Sequence, residues 1–367
     1  MSKKWKVDLT NWFLTRYLAK HGRLQKVETF NSSMQFDNIV IFSTTALGDF
    51  MFNTPAMRAI RERFPDAHIT LVAHKKNTEL VENGRDYDRV IYWDNKIKSL
   101  KKLLVSLREY QPDLAVILHS HLPYDVIAAV MAGAKYIIRD NYSSGISGLE
   151  KWLTNYVFHY YGHFIRRKLE LVSILGCRID DPRMEIPAPF PPGIKDPASI
   201  TIGFQLGAST ESRCWPVSHY VALAEMLFTR VKNVKLVLIG GSLDQPKAEQ
   251  FLQQISEKTR TVVDDRIGKT GLQQLISLID SFDLLVTGDT GPLHLAVALK
   301  VKTISLFVTA DPRSTGPIQD NELHRILHQS RTGFTLPLEA EGPVGVIQPL
   351  TVFNELTSHL QIPIQPG

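Results

Sequence analysis

From residue 36 onward, short apolar runs alternate with amphipathic stretches. NIVIFS (38–43), HITLVA (68–73), RVIYW (89–93) and DLAVIL (113–118) are short and rich in β-formers. Between them, TPAMRAIRERF (54–64) carries its proline where the first helical turn tolerates one, and IKSLKKLLVSLREY (97–110) repeats leucines at helical spacing. Strands separated by helices need crossover connections, so the pattern predicts βαβ units and a parallel sheet. The proline-rich stretch IPAPFPPGIKDP (186–197) then interrupts the alternation. It resumes with SITIGFQLGA (199–208), a helix over 217–230, VKLVLIGG (234–241), a helix near 245–257, TVVDD (261–265), a helix through LQQLISLID (272–280), FDLLVTG (282–288), a further helix, and TISLFV (303–308). The expected organisation is an extension at 1–35, an α/β domain at 36–185, a linker at 186–198, a second α/β domain at 199–345, and a helix and tail at 346–367. Two doubly wound domains in tandem, facing across a cleft, is the expected architecture.

Residues 1–35 read differently. They hold seven Lys or Arg against Asp8 and Glu28, while Trp5, Leu9, Trp12 and Phe13 recur at helical spacing. Such a helix suits an anionic membrane surface, and it equally suits packing of its aromatic stripe on the protein's own body. Composition narrows the classes. A length of 367 residues with 44% hydrophobic content fits two cores, and only two cysteines, with no CxxC and no His cluster at ligand spacing, support neither a disulfide framework nor a zinc site. No apolar run is long enough to span a membrane and no secretion signal is visible, so a cytoplasmic protein is expected, with possible placement at the cytoplasmic face of the inner membrane. A net charge of +5 points to an anionic partner rather than to nucleic acid in particular.

Candidate chemistry lies at strand ends. VTGDTGPLHLAVALKVKTISLF (286–307) places Asp289 and Thr290 between Gly288 and Gly291 where a helix begins, with His294 one turn in. Unpaired N–H groups and the helix dipole at such a point favour a phosphate, and glycine lets it approach the backbone. A plain strand-to-helix turn capped by Asp289 or Thr290 is the competing reading. Three companion loops argue for a ligand: QLGASTESRCWP (205–216), with Gly207, Ser209, Thr210 and the permanent cation Arg213; LIGGSLD (238–244), with Gly240 and Gly241; and STTALGD (43–49), which ends on Asp49. Together they suggest an activated, phosphate-bearing donor opposite an acceptor.

The ordered set TALGDFMFNTPAMRAIRERFPDAHITLVA, GASTESRCWP, VLIGG and LLVTGDTGPLHLAVALKVKTISLF, spanning about Asn38 to Pro317, resembles glycosyltransferase family 9, the bacterial lipopolysaccharide heptosyltransferases. The resemblance implies a GT-B fold, ADP-heptose or another nucleotide-sugar as co-substrate, a lipid A–core oligosaccharide acceptor, inversion at the anomeric carbon, and neither metal nor cofactor. It makes Asp49 the general base and Arg213, where the family usually has lysine, the group that neutralises the leaving diphosphate. It makes Gly207, Ser209, Thr210, Gly240, Gly241, Asp289, Thr290, Gly291 and His294 donor-binding, His294 being equally well a packing residue. Thr45 and the RRK run Arg166, Arg167 and Lys168 are candidates for the acceptor side, RRK reading equally as a solvated helix face.

Other signals are weaker. DYD (86–88) looks like a metal-chelating DxD but reads as a solvated loop, and GKT (268–270) lacks the first P-loop glycine because position 263 is Val. No G-x-S-x-G anchors a hydrolase triad and no G-x-G-x-x-G a dehydrogenase. HSHLPYD (119–125) follows a strand and reads better as a plain loop than as part of the acceptor site. A nucleotide-sugar epimerase, a transferase for another donor, and a non-catalytic binding protein stand as alternatives.

Overall fold

The computed structural model describes residues 4–27, 29–31, 33–141, 148–158, 162–329 and 343–365. The chain divides into two compact units, Met1–Pro189 and Phe190–Gly367, the boundary falling inside the proline-rich stretch.

The first unit runs α1 (Lys4–His21), β1 (Asn38–Ser43), α2 (Leu47–Met51), α3 (Thr54–Arg63), β2 (His68–Ala73), α4 (Thr78–Val81), β3 (Arg89–Tyr92), α5 (Ile97–Arg108), β4 (Leu114–His119), α6 (Tyr124–Ala132), β5 (Tyr136–Asn141), β6 (Asn155–Phe158) and α7 (Phe164–Ser173). The second runs β7 (Ile200–Gln205), α8 (Val217–Arg230), β8 (Val234–Ile239), α9 (Gln245–Gln254), α10 (Glu257–Arg260), β9 (Val263–Asp265), α11 (Leu272–Asp280), β10 (Leu284–Gly288), α12 (Gly291–Ala298), β11 (Lys302–Phe307), α13 (Pro312–Thr315), β12 (His324–His328) and α14 (Pro349–Leu360). Each sheet has six parallel strands, ordered β3-β2-β1-β4-β5-β6 and β12-β11-β10-β7-β8-β9. Counted within each unit, both are the doubly wound order 3-2-1-4-5-6. The first strand pairs with the fourth, and the connections leaving those two strands run to opposite sides. A crevice therefore opens beyond their carboxyl ends, where ligands of open α/β sheets bind.

The inner strands are buried on both faces, which is why they read as apolar runs: all five residues of β10 are buried. Three strands escape the pattern. β6 and β12 are short edge strands with polar or charged positions. β5 lies inside the sheet but carries Arg139 and Asp140, 2% and 1% exposed. Their charges break the apolar signal, and ion pairs formed only in the fold make them tolerable there.

Helices α1 and α14, near the two ends, do not stand apart from the two domains. In α1, Leu14 is fully buried in the core of unit 1, with Val7, Tyr17 and Leu18 packed beside it. Trp152 Nε1 donates to Asn11 Oδ1 at 2.7 Å, tying the helix down further. The stripe singled out in the sequence lies elsewhere on the helix, and Trp5, Leu9, Trp12 and Phe13 remain exposed. At the other end, α14 buries Val352, Phe353 and Leu356 in the core of unit 2. No helix among the described residues is long and apolar enough to cross a membrane.

Candidate active site

In unit 1, the loop after β1 leads into α2, a short helix absent from the sequence reading, whose third residue is Asp49. The loop is held by side chains from the neighbouring strand ends. Thr44 Oγ1 donates to Asn95 Oδ1 at 2.6 Å and lies 2.7 Å from Ser120 Oγ. Asn95 Nδ2 donates back to the Thr44 carbonyl at 3.0 Å, and Asn77 Nδ2 to that of Thr45, also at 3.0 Å. Around this scaffold opens a polar cavity of about 600 Å³, walled by Thr45, Asp49, His74, Lys76, Asp94, His119, His121 and Tyr124 among others. That volume suits a small-molecule ligand. The Thr45 hydroxyl is buried and has no hydrogen-bond partner among the described residues.

Two imidazoles of this wall, His119 and His74, are biased toward neutrality. Burial pushes the His119 pKa down to about 2, helped by the positive charges of Lys168, Arg167 and Arg139. His74 is lowered by burial and then by Lys76. On the wall that also holds Asp49, an uncharged ring can donate one hydrogen bond and accept another.

A buried ionic layer lies in the same unit. Arg139 meets Asp125 at 2.9 Å, Arg167 meets Asp140 at 2.9 Å, and Lys168 is hydrogen-bonded to Asp140 and donates to the Leu118 carbonyl at 2.6 Å. Burial brings the Lys168 pKa down to about 8 against the opposing pull of Asp140, and Asp49 is close enough to add to that pull. This corrects the reading of RRK as a solvated helix face: Arg167 and Lys168 are 4% and 1% exposed because each is committed to Asp140. Arg166 alone is exposed, donating to the Ile179 carbonyl at 3.3 Å. None of the three walls the cavity.

In unit 2, three loops converge beyond β7, β8 and β10. A Cβ on Gly288 would come within 2.9 Å of the Arg213 carbonyl, so glycine is needed there, and one on Gly207 would displace the Asp244 carboxylate, 2.0 Å away. Asp244 accepts from the Gly241 N–H at 2.8 Å and so braces the Gly240–Gly241 turn. Arg213 Nη1 sits 3.6 Å from Asp289 Oδ2, an ion pair too long for a hydrogen bond, and His294 Nε2 lies 3.8 Å from Asp289 Oδ1. Thr290 is the N-cap residue of α12, yet its side chain caps no helix N–H; its hydroxyl lies 3.0 Å from that of Thr287. Ser209 and Thr210 are exposed, and His294 is buried. The sequence reading missed Lys247, whose Nζ bonds Glu211 at 2.8 Å and brings a second cation beside the loop that carries Arg213. Its signal was available, since it lies just after the LIGGSLD turn.

Two loop readings change. Asp86 and Tyr87 are 9% and 6% exposed, so DYD is not a solvated loop. Burial raises the Asp86 pKa, and Asp88 is bound to the Ile69 N–H and to Arg61 at 2.6 Å, so the motif is structural. Conversely, HSHLPYD is more than a plain connection, because His119, Ser120, His121, Leu122 and Tyr124 all wall the Asp49 cavity. His74, Asp94 and Asn95, which the sequence reading did not single out, likewise lie just beyond the carboxyl ends of strands.

Two doubly wound sheets, each presenting polar groups at its switch point, match the architecture of GT-B glycosyltransferases. Residues 101–333 match glycosyltransferase family 9 (heptosyltransferase), and the chain belongs to that family. Lipooligosaccharide heptosyltransferase 2 of Haemophilus influenzae is 25% identical over 302 residues, covering 77% of this chain and 86% of the relative. Lipopolysaccharide heptosyltransferase 3 of Escherichia coli is 23% identical over 286 residues, covering 72% and 80%. Among solved structures, a family 9 glycosyl transferase from Veillonella parvula superposes with a TM-score of 0.75 at 20% identity, covering 90% of this chain and 99% of that one. E. coli ADP-heptose lps heptosyltransferase II gives 0.71 at 21%, covering 89% and 99%. The protein is a glycosyltransferase enzyme of GT-B fold.

Proposed function

We propose that this enzyme transfers heptose from ADP-heptose to a hydroxyl of a lipopolysaccharide core oligosaccharide, with inversion and without a metal, in the cytoplasm at the face of the inner membrane. The observation that carries this reading is the Asp49 carboxylate on a polar, imidazole-lined cavity at a switch point, in a chain of the heptosyltransferase family. In the reaction, the acceptor oxygen bonds to the anomeric carbon, the bond from that carbon to the diphosphate oxygen breaks, and the hydroxyl proton passes to Asp49. A sugar hydroxyl is a weak nucleophile until a carboxylate within hydrogen-bond reach takes its proton. One displacement at one face inverts the centre. ADP leaves with the electron pair, and Arg213 with the amino end of α12 supplies positive charge to the diphosphate, which supports catalysis without a metal ion. Asp289 and the turn at Thr290 and Gly291 hold the donor, with the glycine loops at 207 and 240–241 beside them.

The test is transfer from ADP-heptose to purified core acceptor in the presence of a chelator. Asp49→Asn is expected to lower kcat by about 10²–10⁴-fold while calorimetric affinity for ADP-heptose stays unchanged. Transfer that persists in this variant would remove Asp49 as base. Donor consumed without acceptor would favour an epimerase, and preference for another nucleotide sugar would redirect the donor assignment.

A further inference from the structure

α1 is apolar on two sides. At 3.6 residues per turn, Val7, Leu14, Tyr17 and Leu18 point on average about 160° away from Trp5, Leu9, Trp12 and Phe13. The first group is spent on the core of unit 1, which leaves the second facing outward, with Trp5 56%, Leu9 54% and Trp12 54% exposed. A surface helix packed on one side normally turns polar residues outward. Here the outward stripe is mostly aromatic and continues onto α5 through Ile97, itself 63% exposed. Between α1, α5 and α6 it borders a groove of about 400 Å³ whose walls include Trp5, Leu9, Trp12, Ile97, Ile127 and Met131.

Charge says what covers it. α1 carries Lys4, Lys6, Arg16 and Lys20 against the single carboxylate Asp8, and α5 carries Lys98, Lys101, Lys102 and Arg108 with no carboxylate. All eight cations are exposed. Arg16 lies 4.3 Å from the Trp12 ring centre and Lys6 5.8 Å from that of Trp5, so cations flank the aromatic stripe directly. Tryptophan rings amid lysines match the boundary between acyl chains and anionic headgroups, where the rings are buried shallowly and the ammonium groups meet phosphate.

We infer that the outward face of α1, with the groove it forms against α5 and α6, docks unit 1 on an anionic lipid bilayer. This deepens the proposed function by giving the membrane placement a surface. Tyr124 walls both the groove and the Asp49 cavity, so a chain docked through the groove holds that cavity beside the headgroups, where the sugar of a lipid-anchored acceptor begins.

The experiment uses the full chain without nucleotide sugar, with vesicles of phosphatidylethanolamine and phosphatidylglycerol against vesicles of phosphatidylcholine. Of the five tryptophans, Trp93, Trp152 and Trp215 are buried, so a change in emission reports Trp5 and Trp12. Expected are co-sedimentation and a blue shift with the anionic vesicles, weakened by salt, and binding about tenfold or more weaker in the W5S/W12S variant. Because both rings are exposed, the variant is expected to melt like the wild type. Its transfer to a water-soluble, deacylated core acceptor should be unchanged, so failure of docking and failure of the transferase reading are separable. The inference is overturned if wild type stays in the supernatant with anionic vesicles at low salt, or if the folded variant sediments equally well. It is also overturned if the face instead closes a concentration-dependent dimer that W5S/W12S makes monomeric and vesicles do not dissolve.

Discussion

In the proposed reaction, Arg213 and Asp289 serve the donor at the level of single side chains. The long pair between them, with Arg213 side chain 41% exposed, holds the guanidinium near the amino end of α12 while leaving its N–H fork open to an anion. Arg213→Ala is therefore expected to weaken ADP binding about tenfold and lower kcat by about 10²-fold, since charge on the leaving diphosphate grows toward the transition state. Arg213→Lys should recover most of the binding and less of kcat, because an ammonium keeps the charge without the planar fork. Calorimetry with ADP and steady-state transfer separate the two effects. Equal loss in both variants would mean that geometry rather than charge is what Arg213 supplies. Both residues could be found in the sequence because each follows an apolar strand. Lys247 could not be paired with them by reading alone, since its neighbour Glu211 is 36 positions away.

At the scale of elements, β5 and α7 are joined by charges. Asp140 on β5 meets Arg167 and Lys168 on α7, all three buried. Removing the carboxylate leaves two cations facing each other in a dry place. Asp140→Asn is expected to destabilise unit 1 by about 3–5 kcal/mol, and Lys168→Met added to it should restore part of that loss, both read from urea unfolding. Additive losses would show that Lys168 is not held by Asp140. This layer is also where the sequence misled: a strand holding Arg and Asp does not look like a core strand, and a run of RRK looks like a solvated face. Both signals assume water around the charge, an assumption that only the packing of β5 against α7 overturns.

For the whole molecule, buried histidines give stability a pH dependence. Burial lowers His119 in unit 1 to about 2 and His324 in unit 2 to about 4, the latter bonded to Thr303 Oγ1 at 2.9 Å. In the unfolded chain both rings take a proton near pH 6.5, whereas in the folded chain they resist it until about 4 or lower. The unfolded state therefore binds more protons in this window. Stability that is present above pH 6.5 is lost as pH falls toward 4. Melting temperature is expected to drop by roughly 5 °C or more between about pH 7.5 and pH 5, and His324→Asn should flatten that slope for unit 2. A flat profile in the wild type would show that neither ring is desolvated as the fold implies.

Taken alone, the sequence determined the class of fold, the boundary between the two units, and the loops that carry Asp49, Arg213 and Asp289. These follow from local facts: inner parallel strands are apolar throughout, proline breaks them, and glycine marks the turns that end them. Tertiary structure decided the rest. It set the strand order that brings His119 and Ser120 beside Thr44, committed Arg167 and Lys168 to Asp140, and chose which of the two apolar faces of α1 entered the core. Those outcomes depend on partners far apart in the chain, and periodicity carries no record of which distant residue a side chain will meet.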